Sequence, residues 1–451
     1  MQAKYAIVGA GPTGLGAAHR LKELGEDSFL VLERNAHPGG LAASFTDEAG
    51  FTWDIGGHVV FSHYEYFDRL LDDLLGADFL SHQRESWIWA RGVWTPYPFQ
   101  NNVRYLPRQA RWECVRGLLP GMRPTNAPAN FRDWITAVFG RGIAEIFLGP
   151  YNEKVWAAPL ESMSYTWIGE RVSVVDLERV LKNIILEQDD VSWGPNSTFR
   201  FPLSGGTGEI FRRLAGRLDE RILYGQEVLG IDAKSRRLHT KQGLTVEYGC
   251  LLNTGPLDLL VSRWIENPPE ACVAAAALGL AHNGVSVCGI GVDSHRPDPK
   301  CWMYFPEPAQ PFYRATNFHN YSPNNAARPG EQRALMCETA FSAHRPEDLA
   351  SLTGRTVDGL VAAALLAPDD TGRIVSRWRH TVDYGYPIPT LSRDAALAVI
   401  QPWLESQAIF SRGRFGGFRY EVGNMDHSVM QGVEWAERML LGREEKTYAP
   451  A

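Results

Sequence analysis

The feature that most constrains this chain is a short glycine turn between a predicted strand and a predicted helix. Gly9, Gly11 and Gly14 follow the apolar run of residues 5–8 and precede a helical spacing of apolar residues that stops at Gly25. In such a unit the first glycine permits a tight turn, the second lets the backbone approach a pyrophosphate, and the third lets the helix pack on the strand. The helix N-terminus also offers free N–H donors to a phosphate. The turn therefore predicts a βαβ unit that binds a dinucleotide.

Residues beyond the turn favour FAD over NAD as this dinucleotide. A second apolar run, residues 29–32, ends at Glu33, a carboxylate about 20 positions after the turn that is placed to bind the adenosine ribose. The glycine turn of residues 39–41 is typical of FAD enzymes, and a further glycine turn at 423–428 leads into a C-terminal helix that can face the flavin. The cofactor contacts predicted from these segments are Gly9, Gly11, Gly14, Glu33, Arg34, Gly39, Gly40, Leu41, Gly423, Asn424, Met425 and Ser428.

Charge and composition exclude several other classes of protein. The formal net charge is −7 over 451 residues, whereas a general nucleic-acid or membrane-surface binder needs a basic excess to attract phosphates. The six cysteines show no CxxC pair or other metal-ligand spacing, so we expect reduced, mostly buried thiols and no metal site. No secretory signal begins the sequence, and no apolar stretch approaches the ~20 residues that span a bilayer. The sequence therefore predicts a cytoplasmic protein that binds neither nucleic acid nor membrane.

Changes in hydrophobic pattern predict three structural parts. Aromatic segments with helical spacing between about 96 and 189 indicate a helical insertion, and strand-like patches at 221–254 indicate a return to the nucleotide domain. Further strand-like runs at 285–292, 302–305 and 334–339 indicate an antiparallel sheet. We therefore expect an α/β fold with a Rossmann-like FAD-binding domain, an inserted helical substrate domain and an antiparallel sheet substrate domain. The expected boundaries are 1–84, 199–272 and 374–451 for the FAD domain, 104–198 for the helical domain, and 85–103 with 273–373 for the sheet domain.

Longer motifs spread over nearly the whole chain point to one family. They are GGHV at 56–59, FSHYEYFD at 61–68, TPYPFQNN at 95–102, GPYNEKVWAAP at 149–159, IGERV at 168–172, WGPNSTFRFP at 193–202, FYRAT at 312–316 and GRFGGFRYEVGN at 413–424. Together they resemble the UDP-galactopyranose mutases, most closely the eukaryotic branch. The resemblance implies an FAD-binding fold of the amine-oxidase type. The chain is shorter than those enzymes after Tyr321 and at its C-terminus, which leaves the oligomeric state open, with a homo-oligomer as one alternative.

The resemblance implies roles for several charged and flavin-side residues. Arg171 and Arg314 match guanidinium groups that hold the diphosphate, as an acidic protein requires. His58 matches a histidine that lies against the flavin. Arg171, Arg314 and His58 are the expected catalytic residues. Asn196 matches a residue that reaches the sugar when its loop closes. The further flavin contacts that we expect are Gly57, Val228, Arg414 and Asn424.

Aromatic and amide side chains complete the substrate site that the resemblance implies. Tyr321, Tyr386 and Tyr420 match further diphosphate ligands, since a phenol donates to a phosphate oxygen while its ring packs. Trp302 and Tyr304 match the wall beside the sugar. The nucleobase pocket is expected to comprise Tyr97, Phe99, Gln100, Phe147, Asn152 and Trp156. Because large aromatic residues are usually core residues, packing is an equal alternative for the Phe and Trp members of this pocket.

The chemistry that the resemblance implies is an isomerisation in which reduced FAD acts as a nucleophile. Flavin N5 attacks the anomeric carbon, displaces the nucleoside diphosphate and forms a covalent adduct. Ring opening and closure then interconvert pyranose and furanose without net redox change. NAD(P)H is the implied external reductant. No acid–base pair stands out in the sequence, which agrees with a cofactor that does the covalent work. Segments 169–176 and 193–198 are the expected closing loops.

Three alternatives stay open at this point. The same chemistry could act on a GDP-hexose or another sugar nucleotide, although Tyr97 and Gln100 match a uracil-site pattern and favour UDP-galactose as the partner. A redox flavoenzyme of the amine oxidase or protoporphyrinogen oxidase type shares the nucleotide fold, but it would lack an Arg and Tyr set aimed at a diphosphate. A catalytically inactive FAD-binding protein is disfavoured because the expected site residues are intact.

Overall fold

The strands pair into two large sheets and two short ladders. The structure is a computed structural model that describes residues 1–169, 172–190, 198–267 and 269–448. The strands are β1 (Gln2–Val8), β2 (Phe29–Leu32), β3 (Ser44–Thr46), β4 (Thr52–Asp54), β5 (Phe79–Gln83), β6 (Ser86–Ala90), β7 (Val93–Pro96), β8 (Thr198–Pro202), β9 (Ile222–Leu223), β10 (Val228–Asp232), β11 (Arg237–Thr240), β12 (Thr245–Asn253), β13 (Ala281–Val292), β14 (Trp302–Tyr304), β15 (Arg314–Asn317), β16 (Arg333–Phe341), β17 (Ile374–Ile388) and β18 (Ile409–Ser411).

Helices connect and cover these strands. They are α1 (Pro12–Glu23), α2 (Glu65–Leu75), α3 (Arg108–Leu118), α4 (Phe131–Ile143), α5 (Gly149–Trp156), α6 (Leu177–Ile185), α7 (Gly208–Gly216), α8 (Leu257–Leu259), α9 (Ala271–Leu278), α10 (Leu352–Ala362), α11 (Arg393–Ser406), α12 (Gly413–Gly416) and α13 (Met425–Leu441). None of the described helices is both long and apolar enough to cross a membrane.

The first sheet contains the predicted dinucleotide-binding unit. Its strand order is β10-β11-β12-β1-β2-β9, and β18 pairs with β12. β1 pairs in parallel with both β2 and β12, and α1 forms the crossover from β1 to β2. The prediction of a Rossmann-like βαβ unit is therefore confirmed. Since the glycine turn follows β1, it lies at the carboxyl edge of the sheet, where ligands bind in open α/β sheets.

Helices cover both faces of this sheet. Ile7 and Val31 point to the face that packs against α1 and α13, where Trp435 is fully buried. Leu30 points to the opposite face, together with Leu397 of α11. Successive side chains of a strand alternate between faces, so strands buried on both sides are apolar throughout. Each large side chain buried in this way contributes about 1.5–3 kcal/mol to folding.

A close contact between α1 and α13 brings the C-terminal segment beside the glycine turn. A Cβ atom added to Gly432 would lie 2.0 Å from the carbonyl oxygen of Thr13, and one added to Gly16 would lie 2.6 Å from that of Val429. Only glycine permits the two backbones to approach this closely. Consequently the N-terminus of α13, which Asn424 precedes, faces the region between the two large sheets.

The second large sheet forms most of one wall of the site described below. Its order is β17-β13-β16-β15-β14-β6-β7, and all pairs are antiparallel except β14 with β6. The strands predicted at 285–292, 302–305 and 334–339 lie in β13, β14 and β16. β17 pairs with β13 along its length, so residues 374–388 extend this sheet beyond the limit predicted at 373. The division of the chain into three domains stays a prediction.

The predicted helical insertion is present as α3 to α6. Its core holds Phe131, Phe139 and Trp156, each almost completely buried. The cysteine prediction is correct in that none of the six forms a disulfide, and five of them are buried whereas Cys272 is exposed. This helical part packs against β6 and β17 through Ile88 and Ile388, which places α5 next to the second sheet.

Candidate active site

A cavity of about 740 Å³ lies between the second sheet, α5, the turn at residues 56–58 and the N-terminus of α13. Cavities of this size are typical of sites for small molecules and cofactors. Fourteen of the predicted site residues line it, drawn from segments more than 300 positions apart. They are Gly57, His58, Tyr97, Gln100, Phe147, Asn152, Trp302, Tyr304, Arg314, Tyr386, Arg414, Tyr420, Asn424 and Met425.

Two residues predicted in the nucleobase pocket lie behind its wall instead. Phe99 is fully buried, and its ring centroid lies 4.9 Å from that of Phe147 on the cavity wall. Trp156 is likewise buried and packs edge-on against Tyr420 at 4.9 Å. Both side chains thus support wall residues by packing, which the sequence left as an equal alternative.

Of three further predicted residues, Tyr321 does not line the described cavity and the other two are not among the described residues. Tyr321 is fully buried in the core beneath the second sheet, and its hydroxyl has no hydrogen-bond partner among the described residues. Burial raises the pKa of this phenol well above its usual value, so it keeps its proton. Arg171 and Asn196 lie outside the described residues. Their roles, like the role of Tyr321 toward a diphosphate, stay predictions.

The glycine turns form a cradle suited to the pyrophosphate of FAD. A Cβ on Gly14 would lie 1.9 Å from the carbonyl oxygen of Gly9, so α1 can begin here only with glycine at this position. A Cβ on Gly40 would lie 3.2 Å from the Cα of Gly11, so the two glycine turns present bare backbone to each other. Bare backbone at a helix N-terminus is the arrangement that accepts a phosphate group. These residues therefore fit a dinucleotide.

Glu33 joins the first glycine turn to the segment that follows β2. It is 4% exposed, and its Oε2 accepts a hydrogen bond from the N–H of Ala10 at 2.8 Å. Oε1 accepts from both the backbone and the side-chain N–H of Asn35 at 2.8 Å. A carboxylate offers about four acceptor positions, so one position stays open for a ribose hydroxyl, as the sequence predicts.

The other predicted contacts near this cradle differ in their exposure. Arg34 is exposed. Gly39 directly precedes the short helix Gly40–Ala42, which contains Leu41. Val228 is buried at the start of β10.

The flavin end of the site is lined by His58 and by the start of α13. Desolvation by the surrounding protein, together with the positive charge of Arg414, lowers the pKa of His58 to about 3, so its imidazole is neutral. Its Nδ1 is buried without a hydrogen-bond partner among the described residues. Nε of Arg414 donates to the carbonyl oxygen of Gly423 at 2.9 Å, and the N–H of Ser428 donates to that of Asn424 at 2.8 Å. Among the described residues, no partner takes up His58 Nδ1 or the other N–H groups that begin α13, so these groups can contact a cofactor.

A hydrogen-bonded His-Asp-His cluster closes this end of the cavity and was not predicted. Asp426 is 1% exposed, and its oxygens lie 2.7 Å from Nδ1 of His63 and 2.9 Å from Nδ1 of His427. Burial alone would raise the pKa of Asp426, but the imidazole of His427 and that of His63 lower it. Since both ring nitrogens point at the carboxylate, hydrogen bonding accounts for the cluster. The FSHYEYFD motif contained His63, yet nothing local linked it to residue 426.

Arg314 is the central cation of the cavity, and its partner Glu338 was also missed. Arg314 lies directly between Tyr304 and Glu338 in neighbouring strands. Its Nε and Nη2 each lie 2.5 Å from one oxygen of Glu338, and Nη2 lies 3.5 Å from the hydroxyl of Tyr386. Nη1 makes no hydrogen bond within the described part of the chain. This bidentate pair fixes the guanidinium and leaves one N–H face for a ligand.

A second guanidinium, Arg84, lines the same wall and lies outside every motif that the sequence offered. The guanidinium carbons of Arg84 and Arg314 lie 4.4 Å and 4.5 Å from the ring centroid of Trp302. Nε of Arg84 donates to the hydroxyl of Ser86 and its Nη2 donates to that of Tyr304, both at 3.0 Å. Among the described residues it forms no ion pair with a carboxylate. A cation placed in a cavity without an acidic partner favours an anionic ligand.

The opposite end of the cavity combines stacked rings with amide groups. Phe147 stacks on Tyr151 with ring centroids 5.4 Å apart, and Tyr97 lies 6.0 Å from Tyr304. Nε2 of Gln100 donates to the carbonyl oxygen of Ser173 at 2.5 Å, and Nδ2 of Asn152 donates to that of Leu148 at 2.8 Å. The described residues place no donor on either amide oxygen, so both oxygens can accept from a ligand, beside aromatic faces on which a nucleobase can stack.

The chain is similar to several known proteins. Residues 7–74 match the family model of the NAD(P)-binding Rossmann-like domain. A reduced UDP-galactopyranose mutase of known crystal structure is 45% identical, and the match covers 100% of this chain and 96% of that chain at a TM-score of 0.94.

More distant relatives share only the fold. A putative protoporphyrinogen oxidase from Exiguobacterium sp. 255-15 is 16% identical, with 98% of this chain and 99% of that chain covered at a TM-score of 0.72. A putrescine oxidase bound to putrescine is 16% identical over 98% of this chain and 100% of that chain, with a TM-score of 0.68. These matches confirm the predicted fold of the amine-oxidase type.

The full-length similarity agrees with the arrangement of the cavity. The motifs that suggested a family from sequence supply most of its wall, and the cradle beside it fits a dinucleotide. The chain therefore belongs to the UDP-galactopyranose mutase family and is a flavin-dependent mutase.

Proposed function

We propose that this enzyme interconverts the pyranose and furanose forms of UDP-galactose with FAD as its cofactor. The observation that carries the proposal is the position of Arg314, whose free N–H face points into a cavity that also holds His58 and the start of α13. An anion site and a flavin site thus share one cavity of about 740 Å³. When bound in reduced form, FAD supplies a nucleophilic nitrogen, N5, for reaction at the anomeric carbon without net redox change.

The guanidinium groups of Arg84 and Arg314 bind the diphosphate in this proposal. Both lie against the ring of Trp302 and line the same cavity, so two positive charges face one cavity region. Arg forms bidentate, charge-assisted hydrogen bonds with phosphate oxygens, and these bonds keep the diphosphate close after it leaves the sugar. Arg171 is proposed to add a third cation. The net charge of −7 makes such local cations necessary.

Tyrosines on the wall orient the same diphosphate. Tyr386 and Tyr420 line the cavity, with ring centroids 5.5 Å apart in an edge-on arrangement. A protonated phenol donates to a phosphate oxygen while its ring excludes water. Exclusion of water protects the activated sugar from hydrolysis, which is also the role we propose for Asn196 and the segment around it.

UDP is proposed over GDP because Tyr97 and Gln100 match a uracil-site pattern at the end of the cavity that holds amide and aromatic groups. The free amide oxygens of Gln100 and Asn152 accept hydrogen bonds from a nucleobase, and Phe147 offers a face for stacking. The choice between the two nucleotides and the identity of the hexose are part of the proposal. We further propose that NAD(P)H delivers the electrons that keep the flavin reduced.

The decisive experiment is incubation of the dithionite-reduced, FAD-loaded protein with UDP-galactofuranose and, in parallel, with a GDP-hexofuranose. We expect UDP-galactopyranose to be detected by chromatography, with little turnover of the GDP compound. Oxidised protein should be inactive, and NADPH should replace dithionite. Equal activity with oxidised flavin would refute the mechanism. Stoichiometric oxygen consumption with an amine substrate would instead support the redox alternative.

A further inference from the structure

Glu338 is a buried carboxylate that contacts both the turn carrying His58 and the side chain of Arg314. Its side chain is 2% exposed. Oε1 accepts hydrogen bonds from the N–H of Gly57 at 2.8 Å and from Nε of Arg314 at 2.5 Å. Oε2 accepts from Nη2 of Arg314 at 2.5 Å and from the hydroxyl of Tyr313 at 2.9 Å. One carboxylate therefore joins residues that are 257 positions apart in sequence (314 minus 57).

These four hydrogen bonds use the full capacity of the carboxylate. A carboxylate offers about four acceptor positions, so Glu338 has none left for a substrate or for a proton in transit. Burial alone would raise the pKa of Glu338, but the charge of Arg314 and these hydrogen bonds lower it, and the group stays ionised. Glu338 consequently holds its neighbours in place and does not itself react.

The backbone turn is built around this carboxylate. Gly56 has a φ of +106°, a conformation that glycine adopts readily. A Cβ on Gly56 would lie 3.1 Å from Oε2 of Glu338, and one on Gly57 would lie 3.2 Å from Oε1 and 3.5 Å from Nε of Arg314. The two glycines thus leave the room that the carboxylate occupies. Any movement of the turn displaces the oxygen that also holds Arg314.

We propose that Glu338 is a positioning residue that couples the turn at residues 56–58 to Arg314. Through Glu338, the conformation of the flavin side of the cavity affects that of the anion side, and the anion side affects the flavin side in the same way. The inference rests on the proposed function, because the role of Arg314 toward a diphosphate is part of that proposal. Coupling between two sites is reciprocal, so a nucleotide on Arg314 alters the flavin environment, and the state of the flavin alters the affinity for the nucleotide.

The test is the variant Glu338→Gln, compared with the unmodified enzyme in FAD-loaded form. The amide of Gln places an NH2 donor against N–H donors, so the variant loses part of the shared contact while keeping its shape. UDP titrations follow both the dissociation constant and the UDP-induced change in the flavin absorption spectrum. We expect UDP to bind about tenfold more weakly and the spectral change to be largely lost, with FAD retained.

A matched control is the buried ion pair of another residue on β16, the strand that carries Glu338. Arg333 of β16 forms a buried pair with Asp370 at 2.7 Å, with side chains 4% and 9% exposed. Asp370 is absent from the cavity wall. The variant Asp370→Asn should lose stability as Glu338→Gln does, yet it should keep the UDP affinity and the flavin response of the unmodified enzyme. If Glu338→Gln does not fold, Glu338→Asp keeps the charge but is too short to hold Gly57 and Arg314 together, and we expect the same two losses.

The outcomes separate this inference from the proposed function. A Glu338→Gln or Glu338→Asp variant that binds UDP normally, with the normal spectral change, overturns the coupling and leaves the function intact. Equal losses in Asp370→Asn overturn it as well, because they would be a general effect of reduced stability. If the unmodified enzyme does not bind UDP at all, the proposed function and the coupling are both overturned.

Discussion

At the scale of single residues, the two cavity arginines differ in what holds them. Arg314 is fixed by a buried carboxylate, whereas Arg84 rests on hydroxyl groups and on the face of Trp302. A charge whose partner is buried cannot be removed without leaving that partner unpaired, which is costly. A charge held by hydroxyl groups leaves only neutral groups behind. The two residues therefore combine similar proposed roles with different contributions to stability.

Substitution of each arginine by methionine should separate these contributions. We expect Arg314→Met to lower the free energy of unfolding by about 3 kcal/mol, because Glu338 is left buried and unpaired. Arg84→Met should lower it by about 2 kcal/mol, since two hydrogen bonds of about 1 kcal/mol each are lost and only neutral hydroxyl groups are left behind. Both variants should lose most of their mutase activity. Urea unfolding and activity assays test this, and equal stability of the two variants would contradict the assigned partners.

His58 should make stability depend on pH. Its folded pKa of about 3 lies below the ordinary value of about 6.5, so the unfolded chain binds the proton more readily. Its contribution is complete above pH 6.5 and is lost as pH falls toward 3. We expect His58→Asn to lose less stability than the unmodified protein between pH 7 and pH 5 in urea unfolding. The exposed His295, which does not line the cavity, offers the matched control variant His295→Asn for the same substitution without burial.

At the scale of elements, the boundaries of helices depend on features that periodicity does not contain. The apolar spacing of residues 357–366 predicts a helix over that range, whereas the structure has α10 at Leu352–Ala362, and Ala364 beyond its end has a left-handed φ of +55°. The amphipathic spacing of residues 429–441 predicts the C-terminal helix over that range, but α13 begins four residues earlier, at Met425. After Met425 its first turn is polar and carries no apolar repeat, and Asp426 is buried there with hydrogen bonds to His63 and His427. Local sequence thus predicted which helices exist better than where they start.

The glycine turn should fail if its third glycine is replaced. A Cβ at position 14 would lie 1.9 Å from the carbonyl oxygen of Gly9, so Gly14→Ala must displace either α1 or the turn. We expect the purified variant to lack FAD, as measured by its flavin absorbance at about 450 nm relative to its protein content. Gly216→Ala, at the end of α7, meets no atom within 4 Å and should keep its full FAD content. A yellow Gly14→Ala protein would contradict the cradle.

At the scale of the whole molecule, the site is assembled from distant parts of the chain. The cavity wall combines residues 57–63, the second sheet, α5 and the start of α13, while the dinucleotide cradle lies in the first forty residues. Because α13 packs on α1, cofactor binding and the packing of the two chain ends support each other. A ligand that binds only the folded state stabilises all of these contacts at once.

Thermal unfolding should therefore depend on FAD concentration. We expect FAD at a hundredfold excess over its dissociation constant to stabilise the FAD-free protein by about 2.7 kcal/mol, with a matching rise in the unfolding midpoint. FMN lacks the adenosine monophosphate half that the cradle at Gly9, Gly11 and Gly14 is built to hold, so it should stabilise far less. A midpoint that does not change with FAD, or equal effects of FAD and FMN, would contradict this.

The sequence by itself determined the βαβ unit, the likeness to a family and most of the cavity wall, because these are written in local spacing and in contiguous motifs. Only the tertiary structure decided that Glu338 holds Arg314, that Arg84 enters the cavity, and that Phe99 and Trp156 support the wall from behind. Strand register and packing between distant segments set these contacts. Such pairings leave no periodic signal along the chain, so local sequence patterns do not predict them.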